Sequence, residues 1–325
     1  MRRSNEELEL RKADKATVAK RSGTCKTVYA ALAGNLLIAA TKFIAAGLTG
    51  SSAMLSEAAH SLVDTVNEVL LLYGLQRASL PADRAHPLGH GRELYFWSFI
   101  VAVLIFGLGA GVSFYEGITH IMRPEPIGNF ALTYAVLGLS FLFEGGSWWV
   151  GIKEFSHRKG RLTYFDAARQ TKDPALLAVV FEDSAALLGL VVAFVGIAAS
   201  QYWGIAEFDG AASVGIGAIL SVAAIFLARQ TKALLLGESA SGKLESAILQ
   251  IAGGDPAVDR ANGVLTVHLS PDQIVVALSA QFQENRTARD IEDAVERVEA
   301  RIKAEHPEVT TLFVKPQAWQ KWHDR

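Results

Sequence analysis

Apolar residues are concentrated in six runs along the chain, and short polar segments separate these runs. They cover residues 28–50, 51–75, 94–115, 130–152, 175–203 and 211–228. Each run is close to the roughly 20 residues that a helix needs to cross about 30 Å of hydrocarbon. The pattern therefore predicts an α-helical polytopic membrane protein with six transmembrane helices, which we number as spans one to six.

The chain becomes more polar after the sixth span. The segments GVLTVHL, QIVVALSAQF and TLFV alternate as β-strands do, and Thr287 with Asp290 has capping-box spacing before an amphipathic helix. With a further helix near 243–251, the pattern predicts a cytosolic C-terminal α+β domain of order α-β-β-α-β. The predicted domains are an N-terminal tail, a transmembrane domain and this C-terminal domain, at residues 1–25, 26–232 and 233–325.

The distribution of Lys and Arg residues predicts the orientation of the chain in the membrane. Eight of them precede the first span, and the loop between spans four and five is rich in them, whereas the three opposite loops contain only Arg123. Both termini are therefore expected to be cytoplasmic. The expected membrane is a bacterial inner or plasma membrane, and an organellar membrane is the alternative. The net charge of −2 does not favour a nucleic-acid partner, and the single Cys25 excludes a thiolate metal cluster.

The second span contains titratable residues inside an apolar run, in the stretch SEAAHSLVDTVNEV. His60 and Asp64 are four residues apart and share one face of a helix. Charged groups in a bilayer are costly and usually face a protein interior or a wet cavity. An imidazole and a carboxylate can bind one divalent ion, so the pair predicts a metal site, to which Asn67 can add an oxygen ligand.

The fifth span is the expected source of the remaining ligands. Glu182 and Asp183 are adjacent there, and neighbouring helical residues diverge by about 100°, so the two should contribute unequally. The alternative is that the acids pair with Lys42 of the first span and only fix helix packing. One lysine cannot neutralise the whole set, which includes Glu144, so the ion-site interpretation is favoured. Glu57 and Glu68 are weaker candidates because both can lie near helix ends with access to water.

Two glycine motifs have structural explanations. GESASGKL, residues 237–244, has P-loop spacing, but Leu244 replaces the magnesium-binding Ser or Thr and a membrane span precedes the motif. GLGAG, residues 107–111, lies in an apolar run, where small residues allow close helix packing. Neither motif predicts nucleotide binding.

Several motifs in combination resemble the cation diffusion facilitator family. They are HSLVD in span two, PADRAHPLGHGRE in the following loop, YEGITHIMRPEPI after span three, and the tail ending HPEVTTLFVKPQ. The resemblance implies a homodimeric six-span transporter that exports Zn²⁺ or a related ion from the cytosol in exchange for H⁺. It also implies a transport site between spans two and five, and a tail that resembles metallochaperones and dimerises.

The resemblance assigns His60, Asp64 and Asp183 to the transport site. The usual fifth-span histidine corresponds to Val179, which cannot bind metal, so the fourth ligand stays open among Glu182, Asn67, Glu144 and water. This departure resembles a family branch with a Glu-Asp pair in span five. A site richer in oxygen is harder, so Mn²⁺, Co²⁺ and Fe²⁺ remain alternatives to Zn²⁺ as the substrate.

A second cluster, Asp83, His86 and His90, lies in the loop after span two. The resemblance implies an accessory metal site there, and the alternative is an ordinary exposed turn. In the tail, Asn262 and Lys315 occupy positions where the family often has metal ligands. The remaining tail histidines, His268, His306 and His323, form no recognisable set, so the tail is expected to dimerise rather than sense metal.

The predicted function is therefore a membrane transporter and not an enzyme, with the metal as substrate and no prosthetic group. An intramembrane metalloprotease is disfavoured because H-E-x-x-H does not occur. A metal-sensing receptor would bind the ion without moving it, and a channel would conduct without a proton gradient. Because imidazole must lose its proton to bind metal, protons and metal should compete for the site.

Overall fold

The computed structural model describes residues 35–124, 127 and 129–324. The predicted tail at 1–25 and the beginning of the first apolar run lie outside these residues. The described helices of the first two thirds of the chain are α1 (Asn35–Thr49), α2 (Ser52–Ala78), α3 (Glu93–Leu104), α4 (Gly111–Met122), α5 (Phe130–Lys159), α6 (Tyr164–Gln170), α7 (Pro174–Trp203) and α8 (Glu207–Leu236).

The long helices coincide with five of the apolar runs, and α1 lies in the part of the first run that the structure describes. Of the described helices, four are long and apolar enough to cross a membrane by length and composition: Glu93–Met122, Phe130–His157, Pro174–Trp203 and Glu207–Leu236. Helix α2 has 27 residues, a length of about 40 Å at 1.5 Å per residue, but its acidic residues set it apart from those four. The chain is an α-helical integral membrane protein, as predicted.

The third span is not a uniform α-helix. Ile105–Ala110 forms a π-helical segment between α3 and α4, and it includes most of the GLGAG motif. Such segments interrupt the regular hydrogen-bond ladder and are frequent at functional sites. The sequence predicted close packing here, and Gly109 does face Leu220 of α8, but the change of helix type was not predicted.

Glycines bring α4 and α8 into backbone contact. A Cβ atom on Gly117 would lie 2.7 Å from the carbonyl oxygen of Gly210 and equally close to the backbone nitrogen of Val214. A Cβ atom on Gly210 would lie 2.9 Å from the carbonyl oxygen of Gly117. Only residues without a side chain permit this approach, which is the usual reason for small residues at helix crossings in membranes.

A short helix, α6, interrupts the basic loop between spans four and five. The Thr163 side chain accepts a hydrogen bond from the backbone nitrogen of Asp166, as an N-cap does. The sequence interpretation treated this loop only as a carrier of positive charge. The Thr-x-x-Asp spacing was the signal that it missed.

The C-terminal part has the predicted α-β-β-α-β order. Its elements are α9 (Gly242–Gly253), β1 (Val258–Ser270), β2 (Gln273–Phe282), α10 (Ala288–Glu305) and β3 (Val309–Pro316), followed by a short α11 (Trp319–His323) that was not predicted. Thr287 and Asp290 form the capping box of α10. In place of a P-loop, Ser241 caps α9 directly after the turn that follows α8.

The three strands form one sheet in the order β1-β2-β3. The β1–β2 pair is antiparallel and the β2–β3 pair is parallel, because α10 provides the crossover between them. Apolar side chains of α9 and α10, including Ile248 and Ile302, pack with Val276 and Leu278 of β2. This core accounts for the predicted periodicities of the helices and strands.

The described residues form two compact units that cut through several long helices. One contains residues within 35–70, 103–150 and 181–224, and the other contains residues within 71–102, 151–180 and 225–324. The polar groups of spans two and five that were predicted to bind metal all lie in the first unit. The loop cluster and the sheet lie in the second. The predicted domain boundary at 232/233 stays a prediction.

Candidate metal centre

Helices α2 and α7 bring the predicted polar groups of the membrane domain together. His60 Nδ1 lies 3.0 Å from Asp64 Oδ1, one turn further along α2. Asn67 donates a hydrogen bond of 2.6 Å to Glu182 Oε1, and the carboxyl groups of Asp64 and Glu182 lie side by side. His60, Asp64, Asn67 and Glu182 therefore form one continuous polar cluster across the two helices.

Asp183 lies on another side of α7, as the helical geometry predicts. Its Oδ2 accepts a hydrogen bond of 2.9 Å from Ser147 of α5. Asp183 and Asp64 both line a cavity of about 30 Å³, together with Asn35, Ile38, Ser61, Glu144 and Ser147. That volume admits a water molecule or a bare cation. Asp64 thus borders both the polar cluster and the cavity.

The possible ligand atoms of the polar residues in the membrane helices lie further apart than the ligand atoms around a bound ion. Among the described residues, the one group of three His, Cys, Asp or Glu residues with ligand atoms all within 4.8 Å of one another is the loop cluster. A cation between α2 and α7 would therefore have to draw its ligands inward. His60 Nε2 is buried without a hydrogen-bond partner in the described part of the chain.

Lys42 of α1 forms a separate cluster beside these groups. Its Nζ lies 2.7 Å from Ser61 Oγ, 3.3 Å from Glu57 Oε2 and 3.4 Å from Glu144 Oε1. We call these four residues the Lys42 cluster. The alternative that the acids pair with Lys42 is thus realised for Glu57 and Glu144, whereas Asp64, Glu182 and Asp183 have other partners.

The placement of Glu57 corrects the sequence interpretation. It was expected near a helix end with access to water, but its side chain is fully buried because α7 packs over it at Gly189. Glu68 is half-buried and accepts a hydrogen bond of 3.0 Å from Asn35. Glu57 therefore belongs to the charged interior, whereas Glu68 does not line the cavity itself and pairs with Asn35 of α1, which does.

Asp209 of α8 was not predicted as a functional residue. Its fully buried carboxylate accepts hydrogen bonds from the hydroxyl of Ser51 (2.9 Å) and the backbone nitrogen of Ser52 (2.6 Å) at the beginning of α2. His120 Nε2 lies 3.9 Å away. A carboxylate at a helix N-terminus satisfies free N–H groups and complements the helix dipole. Asp209 therefore fixes the beginning of the helix that contains His60 and Asp64; the serine pair at 51–52 was the available signal.

The loop cluster has the geometry of a metal site. Asp83 lies 3.2 Å from His90 Nε2 and 3.4 Å from His86 Nδ1, and the two rings are 4.2 Å apart. A hydrogen bond from the backbone of His86, with others from His90 and Ala85, lowers the pKa of Asp83. The carboxylate therefore stays ionised under mildly acidic conditions. Two imidazoles and one carboxylate fit zinc or a similar ion, which these residues would hold.

Asp83→Asn should weaken metal binding at the loop by at least about tenfold, because the substitution removes the anionic ligand. Equilibrium dialysis of the full chain with Zn²⁺, in an Asp64→Asn background, isolates the loop site. Asp166→Asn is the matched control, because Asp166 is an exposed residue at the beginning of α6. Unchanged loop affinity after Asp83→Asn would indicate that the cluster is an ordinary turn.

In the tail, Asn262 stands at a position where the resemblance implies a metal ligand, and its side chain forms a hydrogen bond instead. Asn262 donates to the backbone oxygen of Gln317 at 2.7 Å and so attaches the segment before α11 to β1. Burial lowers the pKa of His268, whose Nδ1 lies 3.3 Å from the backbone oxygen of Ser270. Within the described ranges, none of the tail histidines joins a group of three closely spaced ligands.

Comparison with known proteins identifies the family. The model described as "Cation efflux transmembrane domain" matches residues 28–236. The chain is 32% identical over 262 residues to the proton-coupled zinc antiporter SLC30A9, mitochondrial, of Xenopus laevis, covering 80% of this chain and 47% of the relative. It is 34% identical over 238 residues to metal tolerance protein C4 of Arabidopsis thaliana, covering 72% and 52%.

A third relative is similar over nearly its whole length. The magnetosome protein MamB of Magnetospirillum gryphiswaldense is 24% identical over 293 residues, which cover 90% of this chain and 93% of the relative. By contrast, the chain spans about half the length of the first two relatives. The family consists of transporters, in agreement with the predicted class of a transporter and not an enzyme. The match across the membrane helices shows that the chain belongs to the cation efflux family, the cation diffusion facilitators.

Proposed function

We propose that the protein exports a divalent metal cation, Zn²⁺ in the first place, from the cytosol in exchange for H⁺. The observation that carries the proposal is the polar cluster of His60, Asp64, Asn67 and Glu182, beside a cavity lined by Asp64 and Asp183. Buried titratable groups on two neighbouring membrane helices mark ion and proton pathways. The names of the zinc antiporter relatives support the same substrate class.

The exchange of metal for protons follows from the chemistry of the proposed ligands. Imidazole and carboxyl groups bind metal only after losing their protons, so metal binding releases protons and protonation releases metal. In the state that faces the cytosol, deprotonated His60, Asp64 and an acid of α7 would take up the ion. After the helices move, protons from the opposite side would displace it. The protonated carboxyls of Asp64 and Glu182 could then hydrogen-bond to each other.

The proposed ligands are His60, Asp64 and Asp183, with Glu182 or Asn67 completing the set. Glu182 and Asn67 are favoured over Glu144 because they are hydrogen-bonded to each other beside Asp64. Glu144, in contrast, pairs with Lys42. One imidazole among several oxygen ligands is a harder site than one with two imidazoles. Mn²⁺, Co²⁺ and Fe²⁺ therefore remain alternative substrates.

Transport in proteoliposomes tests the proposal. Vesicles with an acidic interior and a zinc-sensitive dye inside are diluted into neutral buffer containing Zn²⁺. An antiporter accumulates Zn²⁺ until an ionophore collapses the pH gradient. A flux that ignores the gradient would identify a channel, and binding without any flux would identify a metal-sensing receptor. Either result would contradict the proposal.

Val179→His should increase the preference for Zn²⁺ over Mn²⁺. Val179 lies one turn before Asp183 in α7, so a histidine there adds a second nitrogen ligand, which zinc favours over manganese. The shift is measured as the ratio of Zn²⁺ to Mn²⁺ uptake in competition. Val179→Thr, similar in shape but without an imidazole, is the control. An unchanged ratio in Val179→His would place the determining ligand elsewhere.

Both termini are proposed to be cytoplasmic, and the chain is proposed to act as a homodimer. The distribution of Lys and Arg supports this orientation. Because Cys25 is the sole cysteine, a membrane-impermeant maleimide should label it only after the cells are permeabilised. Labelling of intact cells would reverse the orientation. The identity of the membrane stays a prediction.

A further inference from the structure

The Lys42 ammonium lies in a cation-binding environment made of oxygen atoms. Three oxygens surround Nζ: Ser61 Oγ, Glu57 Oε2 and Glu144 Oε1, at 2.7, 3.3 and 3.4 Å. The side chains of Lys42 and Glu57 are completely buried. Hydroxyl and carboxylate oxygens of this kind are also what hard divalent cations use as ligands. The ammonium thus occupies a position that an ion of the solution could occupy.

The cluster has unused capacity for a cation. Glu57 Oε1 is fully buried, with no hydrogen-bond partner among the described residues. A buried carboxylate oxygen without a partner is costly, and a lysine, which reaches only the other oxygen, leaves that cost in place. A divalent ion with two charges would interact with Glu57 and Glu144 more strongly than one ammonium does.

The Lys42 cluster shares a residue with the transport cavity. Glu144 contacts Lys42 and also lines the cavity that Asp64 and Asp183 border. Ser61, which accepts the shortest contact from Lys42, lines the same cavity. The two positions therefore share the oxygen atoms of Ser61 and Glu144. One contains the ammonium, and the other is the proposed place of the transported ion.

We propose that Lys42 is a tethered counter-cation that limits the membrane site to one metal ion. By occupying the position between Glu57, Ser61 and Glu144, it keeps these oxygens from binding a second ion next to the first. This inference rests on the proposed function, because it concerns the same site. A lysine that only fixed helix packing would predict no change in the number of bound ions when its charge is removed.

Counting bound Mn²⁺ per chain tests this role. The full chain is purified in detergent with His86→Ala and His90→Ala, so that the loop contributes no metal, and Mn²⁺ is counted by equilibrium dialysis. This background should bind one ion. Adding Lys42→Met should raise the number to two, whereas Lys42→Arg, which keeps the charge, should leave it at one. Adding Glu57→Gln to Lys42→Met should return it to one.

The outcomes separate this inference from the proposed function. A background protein that binds neither Mn²⁺ nor Zn²⁺ would contradict the transport site itself. If the background binds Zn²⁺ but not Mn²⁺, the same variants are counted with Zn²⁺. A background that binds one ion, with Lys42→Met also binding one, would overturn the role of Lys42 while leaving transport intact. Lys42→Gln retains a hydrogen-bond donor without the charge, so it gives the same test if Lys42→Met does not fold. A second ion in Lys42→Gln supports the proposal, and a single ion overturns it.

Discussion

Asp64→Asn is expected to abolish metal transport, with a fall in rate of about a hundredfold or more. Loss of groups that only support a metal ligand already costs about 10–100-fold in affinity or activity, and Asp64 is proposed as a ligand itself. It also joins the two parts of the site, because it contacts His60 and Glu182 and lines the cavity. Asparagine preserves the shape of the side chain while removing the charge that holds the cation.

Glu68→Gln is the matched control for this substitution. Glu68 is an acid on the same helix, but it is half-buried and pairs with Asn35 rather than with His60 or Glu182. Its substitution should leave the initial rate of Zn²⁺ uptake within a few-fold of the wild type. Zinc uptake into proteoliposomes, corrected for the amount of reconstituted protein, compares the two variants. Near-normal transport by Asp64→Asn would remove Asp64 from the site.

Gly117→Ala is expected to lower the thermal stability of the membrane domain. The new Cβ atom would lie 2.7 Å from the carbonyl oxygen of Gly210 and from the backbone nitrogen of Val214, closer than such atoms can approach. Helices α4 and α8 would have to separate, and overpacking of this kind costs about 1–3 kcal/mol or more. Asp209 is adjacent to Gly210, so the shift should also disturb the beginning of α2.

Gly138→Ala provides the control for Gly117→Ala. Gly138 lies inside α5, and a Cβ atom there would meet nothing within 4 Å. Alanine is the better helix former by about 1 kcal/mol, so this variant should unfold at the same temperature as the wild type or above it. The unfolding temperature of each variant is measured in detergent, as the temperature at which the folded, monodisperse protein is lost. Equal unfolding temperatures for Gly117→Ala and Gly138→Ala would show that the close approach is unimportant.

Much of the fold follows from the periodicity of the sequence, because membrane spans and amphipathic elements have strong local patterns. The C-terminal order was predicted for that reason, and the capping box at Thr287 marked the beginning of α10. The π-helical segment at Ile105–Ala110 was not predicted, since it depends on how neighbouring helices pack. Helix α6 was missed because its seven residues make too short a pattern.

The candidate site was predictable as a set of residues but not in its pairings. Spacing identified His60, Asp64, Glu182 and Asp183, since isolated charges in apolar runs are conspicuous. Which acid pairs with which group depends on the rotation of the helices, and the sequence leaves that open. Glu57 was therefore underrated, although α7 covers it at Gly189 and Lys42 reaches it from α1.

The central claim is that one divalent cation binds between α2 and α7, at side chains that also bind protons. Anomalous diffraction from crystals grown with Mn²⁺ tests it most directly, because the signal locates the ion itself. We expect a peak within bonding distance of His60 and Asp64 and of a carboxylate from Glu182 or Asp183. Peaks at the Asp83–His86–His90 loop alone, with none between α2 and α7 at saturating Mn²⁺ or in matching crystals grown with Zn²⁺, would contradict the account.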